Sequence, residues 1–194
     1  MRTISNLLLA LFVATPLLLL PLTANAESFK GQFKFTSKAP KEDIFGTASG
    51  SADLTIDTSN LAGLKGTITV PVKSMKTGND TRDDHLRSDA WLDAGKHPNI
   101  TFTITSATLD GDVSESGGVK AAKLKVTGKF TLHGVTTTLT APATIKWKDD
   151  KKAKITTQFT IKLADFKVEG KDGVIGSKVG STITCQAALT GKVQ

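Results

Sequence analysis

Apolar and polar residues alternate one for one over segment after segment of this chain. Leu64, Gly66, Ile68, Val70 and Val72 interleave with Lys65, Thr67, Thr69, Pro71 and Lys73. Ile100, Phe102 and Ile104 interleave with Thr101, Thr103 and Thr105, and Leu124, Val126, Gly128, Phe130 and Leu132 with Lys123, Lys125, Thr127, Lys129 and Thr131. The same face returns in Val135, Leu139, Ala141, Ala143, Ile145 and Trp147, then in Ile155, Phe159, Ile161 and Leu163, and last over 183–189. A period of two marks strands with one buried and one wet face, because successive side chains leave a sheet on opposite sides. The wet face here is Thr and Lys.

Turn chemistry separates these runs: Ser116-Gly117-Gly118, His133-Gly134, Asp149-Asp150-Lys151 and Lys171-Asp172-Gly173. Successive antiparallel hairpins are the simplest connection. With the early runs 28–37 and 47–57 there are about eight strands. A sheet that size with one apolar face must close on itself or find a second sheet, and closure into an antiparallel eight-stranded barrel is the expectation. The exception is 79–93, which reads as one short helix. Thr81 is placed to cap its first turn, Asp83 and Asp84 sit where the helix dipole favours acids, and Leu86 and Ala90 form an apolar stripe. Such a helix is long enough to lie across a barrel mouth.

Residues 1–26 stand apart. They hold a lone basic residue (Arg2), a leucine-rich run over 7–22 and the small-x-small ending Ala24-Asn25-Ala26. That is the pattern of a secretory signal peptide cleaved after Ala26, leaving one globular domain over 27–194. Setting the leader aside lowers the net charge from the +7 of the whole chain by one, and of the remaining cations only Arg82 and Arg87 are arginines. A nucleic-acid binder uses arginine forks and aromatic stacking; these scattered lysines read instead as a solvated outer face, with a mild attraction to anionic lipid head groups allowed. Cys185 is the only cysteine. No internal disulfide is possible, and its place in the apolar run of 183–189 reads as a small buried hydrophobe.

The three histidines, His85, His97 and His133, fall in no metal-ligand spacing, and no phosphate-binding loop or nucleophile motif is present. What the chain supplies in quantity is an apolar surface of Ile, Val, Leu, Ala and Phe with no tyrosine. In an eight-stranded barrel this lining forms either a solid core or a ligand cavity. Small inward residues, Gly66, Gly128, Ala141, Ala143 and Ala187, favour a cavity, and an elongated apolar ligand suits such walls.

Four stretches carry a resemblance: Gly78-Asn79-Asp80-Thr81-Arg82-Asp83-Asp84-His85-Leu86, Trp91-Leu92-Asp93, Lys96-His97-Pro98-Asn99-Ile100-Thr101-Phe102, and 126–136, Val-Thr-Gly-Lys-Phe-Thr-Leu-His-Gly-Val-Thr. In this order they resemble the YceI family of bacterial periplasmic proteins, also called polyisoprenoid-binding. The resemblance implies a lipocalin-like antiparallel β-barrel around a long isoprenoid or fatty-chain amphiphile, often as a homodimer. The chain departs from the family pattern near Phe33-Lys34-Phe35, where a histidine usually follows an aromatic-x-aromatic unit.

Carried onto this chain, the resemblance puts the lipid tail against Phe33, Phe35, Ile68, Val70, Phe102, Ile104, Val126, Phe130, Phe159 and Ile161. The head group falls near Arg82 and His85, three apart on one helix face, with Asn79 and Asp83 nearby. Arg82 offers fixed donors to an anionic or carbonyl head. The expectation is a non-enzymatic periplasmic lipid carrier. Two other readings stand beside it: an envelope interaction protein with a solid core, and a lipid-acting enzyme using His85 as base with Asp83 or Asp84 as helper.

Overall fold

The computed structural model describes residues 27–149 and 151–193; the signal peptide expected over 1–26 lies outside the described residues. Nine strands follow one another: β1 (Glu27–Lys38), β2 (Asp43–Thr55), β3 (Lys65–Pro71), β4 (Asn99–Leu109), β5 (Ser114–Ser116), β6 (Val119–Leu132), β7 (Val135–Lys148), β8 (Lys152–Lys162) and β9 (Thr182–Lys192). One helix, α1 (Asp80–Arg87), sits between β3 and β4. Neighbours run in the order β4-β3-β2-β1-β9-β8-β7-β6-β5, and β4 also pairs with β6, which closes an antiparallel barrel of eight strands. The short β5 lies outside the ring as a hairpin on the start of β6.

Local chemistry sets the tight turns. Gly117 and Gly118, and again His133 and Gly134, all have φ between 50° and 74°, the pair of left-handed residues that a two-residue hairpin needs to match strand twist. Lys171-Asp172-Gly173, read from the sequence as another hairpin turn, is instead part of a long connection over 163–181.

The two ends of the barrel differ. At the base, Phe29, Leu54, Ile56, Leu124, Ile145 and Leu189 are each no more than 2% exposed and pack with Leu61, Leu64 and Trp147 into a solid plug. Each such side chain contributes roughly 1.5–3 kcal/mol by leaving water. At the top, two long connections cross the opening: 72–98, which carries α1, and 163–181. The first is fastened by the reciprocal 2.8 Å bonds between Thr47 and Lys76, the second by the Gly180 N–H donating to the buried Ser37 Oγ at 2.8 Å.

One seam of the wall is half open. The ladder between β7 and β8 runs from Lys148↔Lys152 to Ala143↔Thr157 and stops, although β7 continues through 135–142 and β8 through 158–162. The next residue of β7 is Pro142. Its carbonyl accepts the Thr157 hydroxyl at 2.6 Å, so its polar edge faces β8, but its nitrogen has no hydrogen to offer and the next rung cannot form.

Candidate functional site

Between the plugged base and the crossed top lies a cavity of about 850 Å³. This is near the upper end of the roughly 300–1,000 Å³ typical of small-molecule pockets. The barrel therefore does not hold the solid core of the interaction-protein reading. Its wall takes Phe33 and Phe35 from β1, Ile68 and Val70 from β3, Phe102 and Ile104 from β4, Val126 and Phe130 from β6, and Phe159 and Ile161 from β8. The structure thus brings together all ten residues to which a tail was assigned. Ala141, Ala143 and Ala187 also line it.

The glycines do not provide its room, contrary to expectation. A Cβ on Gly128 would lie 2.6 Å from Cζ of Phe102, and one on Gly50 would lie 2.7 Å from Cε2 of Phe33. Phenyl rings occupy the space over these bare backbones, as Phe35 does over Gly46. Gly66, at φ 133°, serves a close approach to the Asp53 carbonyl. The space comes instead from the spread of the strands and from the short alanines.

The lining is poor in polar groups. Cys185 contributes a thiol whose burial pushes its pKa up to about 12, so it is a neutral sulfhydryl at any physiological pH.

Polar chemistry gathers at the mouth, between α1 and the 163–181 connection. Helix α1 starts where Asn79 Oδ1 accepts the Arg82 N–H at 2.9 Å; Asn79, not Thr81, is the cap. It ends at Ser88, whose hydroxyl bonds back to the His85 carbonyl at 2.7 Å, so the helix is shorter than 79–93. Asn79, Arg82 and His85 line the mouth. Arg82 Nη2 reaches Glu42 Oε1 of the β1–β2 loop at 3.0 Å, leaving the guanidinium about one third exposed.

Asp83 does not join them. It is 1% exposed and turned away from the cavity wall, with Oδ1 accepting both the N–H and the hydroxyl of Thr77 at 2.7 Å. Lys76 Nζ and Arg87 Nη2 approach its other oxygen at 3.4 and 3.8 Å. Burial would raise its pKa, but the Thr77 bonds and the Lys76 ammonium outweigh it and hold the carboxyl below its ordinary value. Asp83 is the anchor of the lid helix, and it is corrected here from a head-group contact to a structural one. The sequence spacing hid this because the residue three before α1, Thr77, supplies two donors at once.

The catalytic reading loses its dyad. Asp83 is engaged as above, Asp84 Oδ1 pairs with Arg87 Nη1 at 3.3 Å, and neither carboxylate bonds His85. His97 and His133 meet edge to face with centroids 5.4 Å apart, and His133 Nδ1 lies 3.2 Å from the Phe166 carbonyl; they tie three turns together at the top. Among the described residues no group of three or more His, Cys, Asp or Glu is placed to hold a metal ion.

Sequence reasoning missed the second half of the mouth. Lys171, Asp172 and Lys178 line it, together with Val174 and Val179. The usable signal was weak: apolar residues at 168, 174 and 179 follow neither a strand nor a helix period.

A family model described as the YceI-like domain matches residues 21–190. Protein YceI of Escherichia coli O157:H7 is 34% identical over 137 residues, which is 68% of this chain and 66% of that protein; Protein YceI of Shigella flexneri matches over the same shares. The chain thus spans just under two thirds of the length of these curated relatives. Among solved structures, Burkholderia cenocepacia BcnA has the same fold, with a TM-score of 0.69 at 24% identity, over 82% of this chain and 95% of that one. A polyisoprenoid binding domain from Saccharophagus degradans gives 0.66 at 15% identity over 88% and 99%, and the Campylobacter jejuni YCEI protein 0.61 at 25% identity over 81% and 89%. A barrel plugged at one end, lidded by a short capped helix at the other and matched along nearly its whole described length makes this chain a member of the YceI-like family.

Proposed function

We propose that this protein is a non-enzymatic periplasmic carrier that holds one polyisoprenoid or other long-chain amphiphilic lipid, tail inside the barrel and head at the α1 mouth. The observation that carries the reading is the apolar cavity of about 850 Å³ with a packed base and a polar rim at one end only. Such a vessel accepts an amphiphile in one orientation. Each methylene taken from water into it is worth roughly 0.8 kcal/mol, so a chain of ten contributes about 8 kcal/mol before ordering costs. The domain of the same fold from Saccharophagus degradans, described as polyisoprenoid binding, supports the choice of lipid class. At the head, Arg82 and His85 with Asn79 form the near side of the rim, and Lys171 and Lys178 the far side. No metal or organic cofactor is part of the reading, and a homodimer remains part of it through the family likeness.

Native mass spectrometry of protein isolated from its own periplasm tests the proposal, followed by denaturing extraction. The expected result is an excess mass of one ligand per chain that disappears on denaturation and has a prenyl or alkyl composition. A bare polypeptide mass, together with failure of the refolded protein to take up a fluorescent apolar probe such as N-phenyl-1-naphthylamine, overturns it.

A further inference from the structure

The outer faces of β6, β7, β8 and β9 carry nine lysines, and none of the four strands has an acidic residue. Their placement works against the fold. Lys146 stands directly across from Lys154, Lys148 from Lys152, and Lys152 again from Lys192 on the next strand, so two like charges face each other at three pairings. Directly opposed like charges are destabilising in an antiparallel sheet. Among the described residues none of these five lysines has an ion pair, whereas Lys125, higher on β6, is paired with Asp110 at 3.2 Å. In the chain the acids that follow most closely are Asp149 and Asp150, directly after Lys148.

The half-open seam lies on this same face. The β7–β8 ladder ends three rungs above Lys146–Lys154, at Ala143↔Thr157, and the outward residues from there to Lys162 at the top of β8 are uncharged: Thr138, Thr140 and Pro142 on one side, Gln158 and Thr160 on the other. Behind them the inward side chains Leu139 and Phe159 line the cavity and stay only half-buried. A hollow on the outside of the wall at the end of the ladder shares Lys34, Ala143, Thr157, Gln186 and Ala187 with the interior cavity, so single side chains part the two there.

We propose that the β6–β9 face docks on an anionic lipid bilayer and sets the β7–β8 seam against it. The lysine rows supply the attraction: a basic residue close to an anionic membrane surface strengthens binding several-fold, and the effect falls away within a Debye length. The uncharged strip above them meets the head-group layer without having to desolvate a charge. The seam then offers a chain a side route into the cavity, which the packed base denies from below. The docking stands on the charge pattern alone; the loading role of the seam rests on the lipid-carrier reading.

The test is co-sedimentation of the purified full domain with vesicles of phosphatidylglycerol and phosphatidylcholine, and with phosphatidylcholine alone. The wild type is expected to bind only the anionic vesicles, and less as salt rises. Replacing Lys146, Lys148, Lys152 and Lys154 together by Gln is expected to lower the partition coefficient at least a hundredfold, taking about fivefold per lysine. The same substitutions relieve the opposed charges, so the melting temperature holds or rises and misfolding does not mimic the result. A control replacing Lys38, Lys41, Lys73 and Lys167, all at the mouth end, is expected to bind as the wild type. Unchanged binding by the first variant, or loss confined to the control, overturns the docking face. Uptake of N-phenyl-1-naphthylamine from solution reads the cavity separately: normal uptake without vesicle binding refutes the docking face and leaves the carrier standing. Full vesicle binding without uptake does the reverse.

Discussion

Val126 sits midway up the barrel with Ala107 across from it on β4 and Ala141 across from it on β7, so the short side chains around it leave the cavity open. Replacing it by Trp adds about seven non-hydrogen atoms in that space. If the tail lies there, the indole displaces about as many methylene-sized groups of ligand. At roughly 0.8 kcal/mol each the loss is about 5–6 kcal/mol, or about four orders of magnitude in Kd. A chain that bends into the remaining room recovers part of this, which makes tenfold the smallest loss compatible with the tail resting on Val126. Overpacking a filled core costs about 1–3 kcal/mol, but an indole entering empty space carries no such penalty, so the melting temperature of Val126→Trp should match or exceed the wild type in ligand-free protein. The assays are extraction and weighing of co-purified lipid, probe displacement and a thermal melt. A Val126→Trp protein that melts like the wild type and loads the same amount of lipid would refute an interior tail site.

Asp83→Ala should destabilise the lid by about 2–3 kcal/mol, because it strips the Thr77 N–H and hydroxyl of their shared charged acceptor, and hydrogen exchange should show it first in α1. Since the folded carboxyl titrates below its ordinary value, its contribution is complete above the unfolded pKa of about 3.9 and fades as pH falls through the folded value; the gap in melting temperature between wild type and Asp83→Asn should therefore close in acid. Arg82→Ala breaks a pair whose Glu42 partner is mostly exposed, so stability should move by less than about 1 kcal/mol while selectivity between anionic and neutral head groups changes, as read by competition with matched-chain lipids. Cys185 should resist thiol reagents at pH 8 in the native protein and react fully in urea, because burial leaves almost no thiolate.

Most of the barrel was legible in the chain because a period of two is a direct consequence of the pleat. Leu124 to Leu132 and Ile155 to Ile161 could face only one way once any one of them did, and that is why the tail residues could be placed on a common wall. The polar rim was less legible. Asp83 and Arg82 are neighbours on the same short helix, yet one is pinned inward by Thr77 and the other reaches Glu42, forty residues upstream. Nothing in local spacing reports a contact made across the mouth. The role of Pro142 was equally hidden: in sequence it is one polar-face position among several, and only its carbonyl's bond to Thr157 shows which neighbour loses a rung.

In chain order the last strand to take its place is β9, which slots between β8 and β1 and pairs Thr190 with Lys30 and Ile183 with Ser37. Hairpins such as β6–β7 can form as soon as they are synthesised, but the ring is an arc until β9 arrives, and an arc of strands encloses nothing. Contacts this distant in sequence form late, since the loop between them must be closed before any of them is rewarded. The interior is therefore the last thing the chain acquires. A partly made chain has no chamber to fill, and on the carrier reading proposed above the lipid enters a finished barrel rather than being built in during folding.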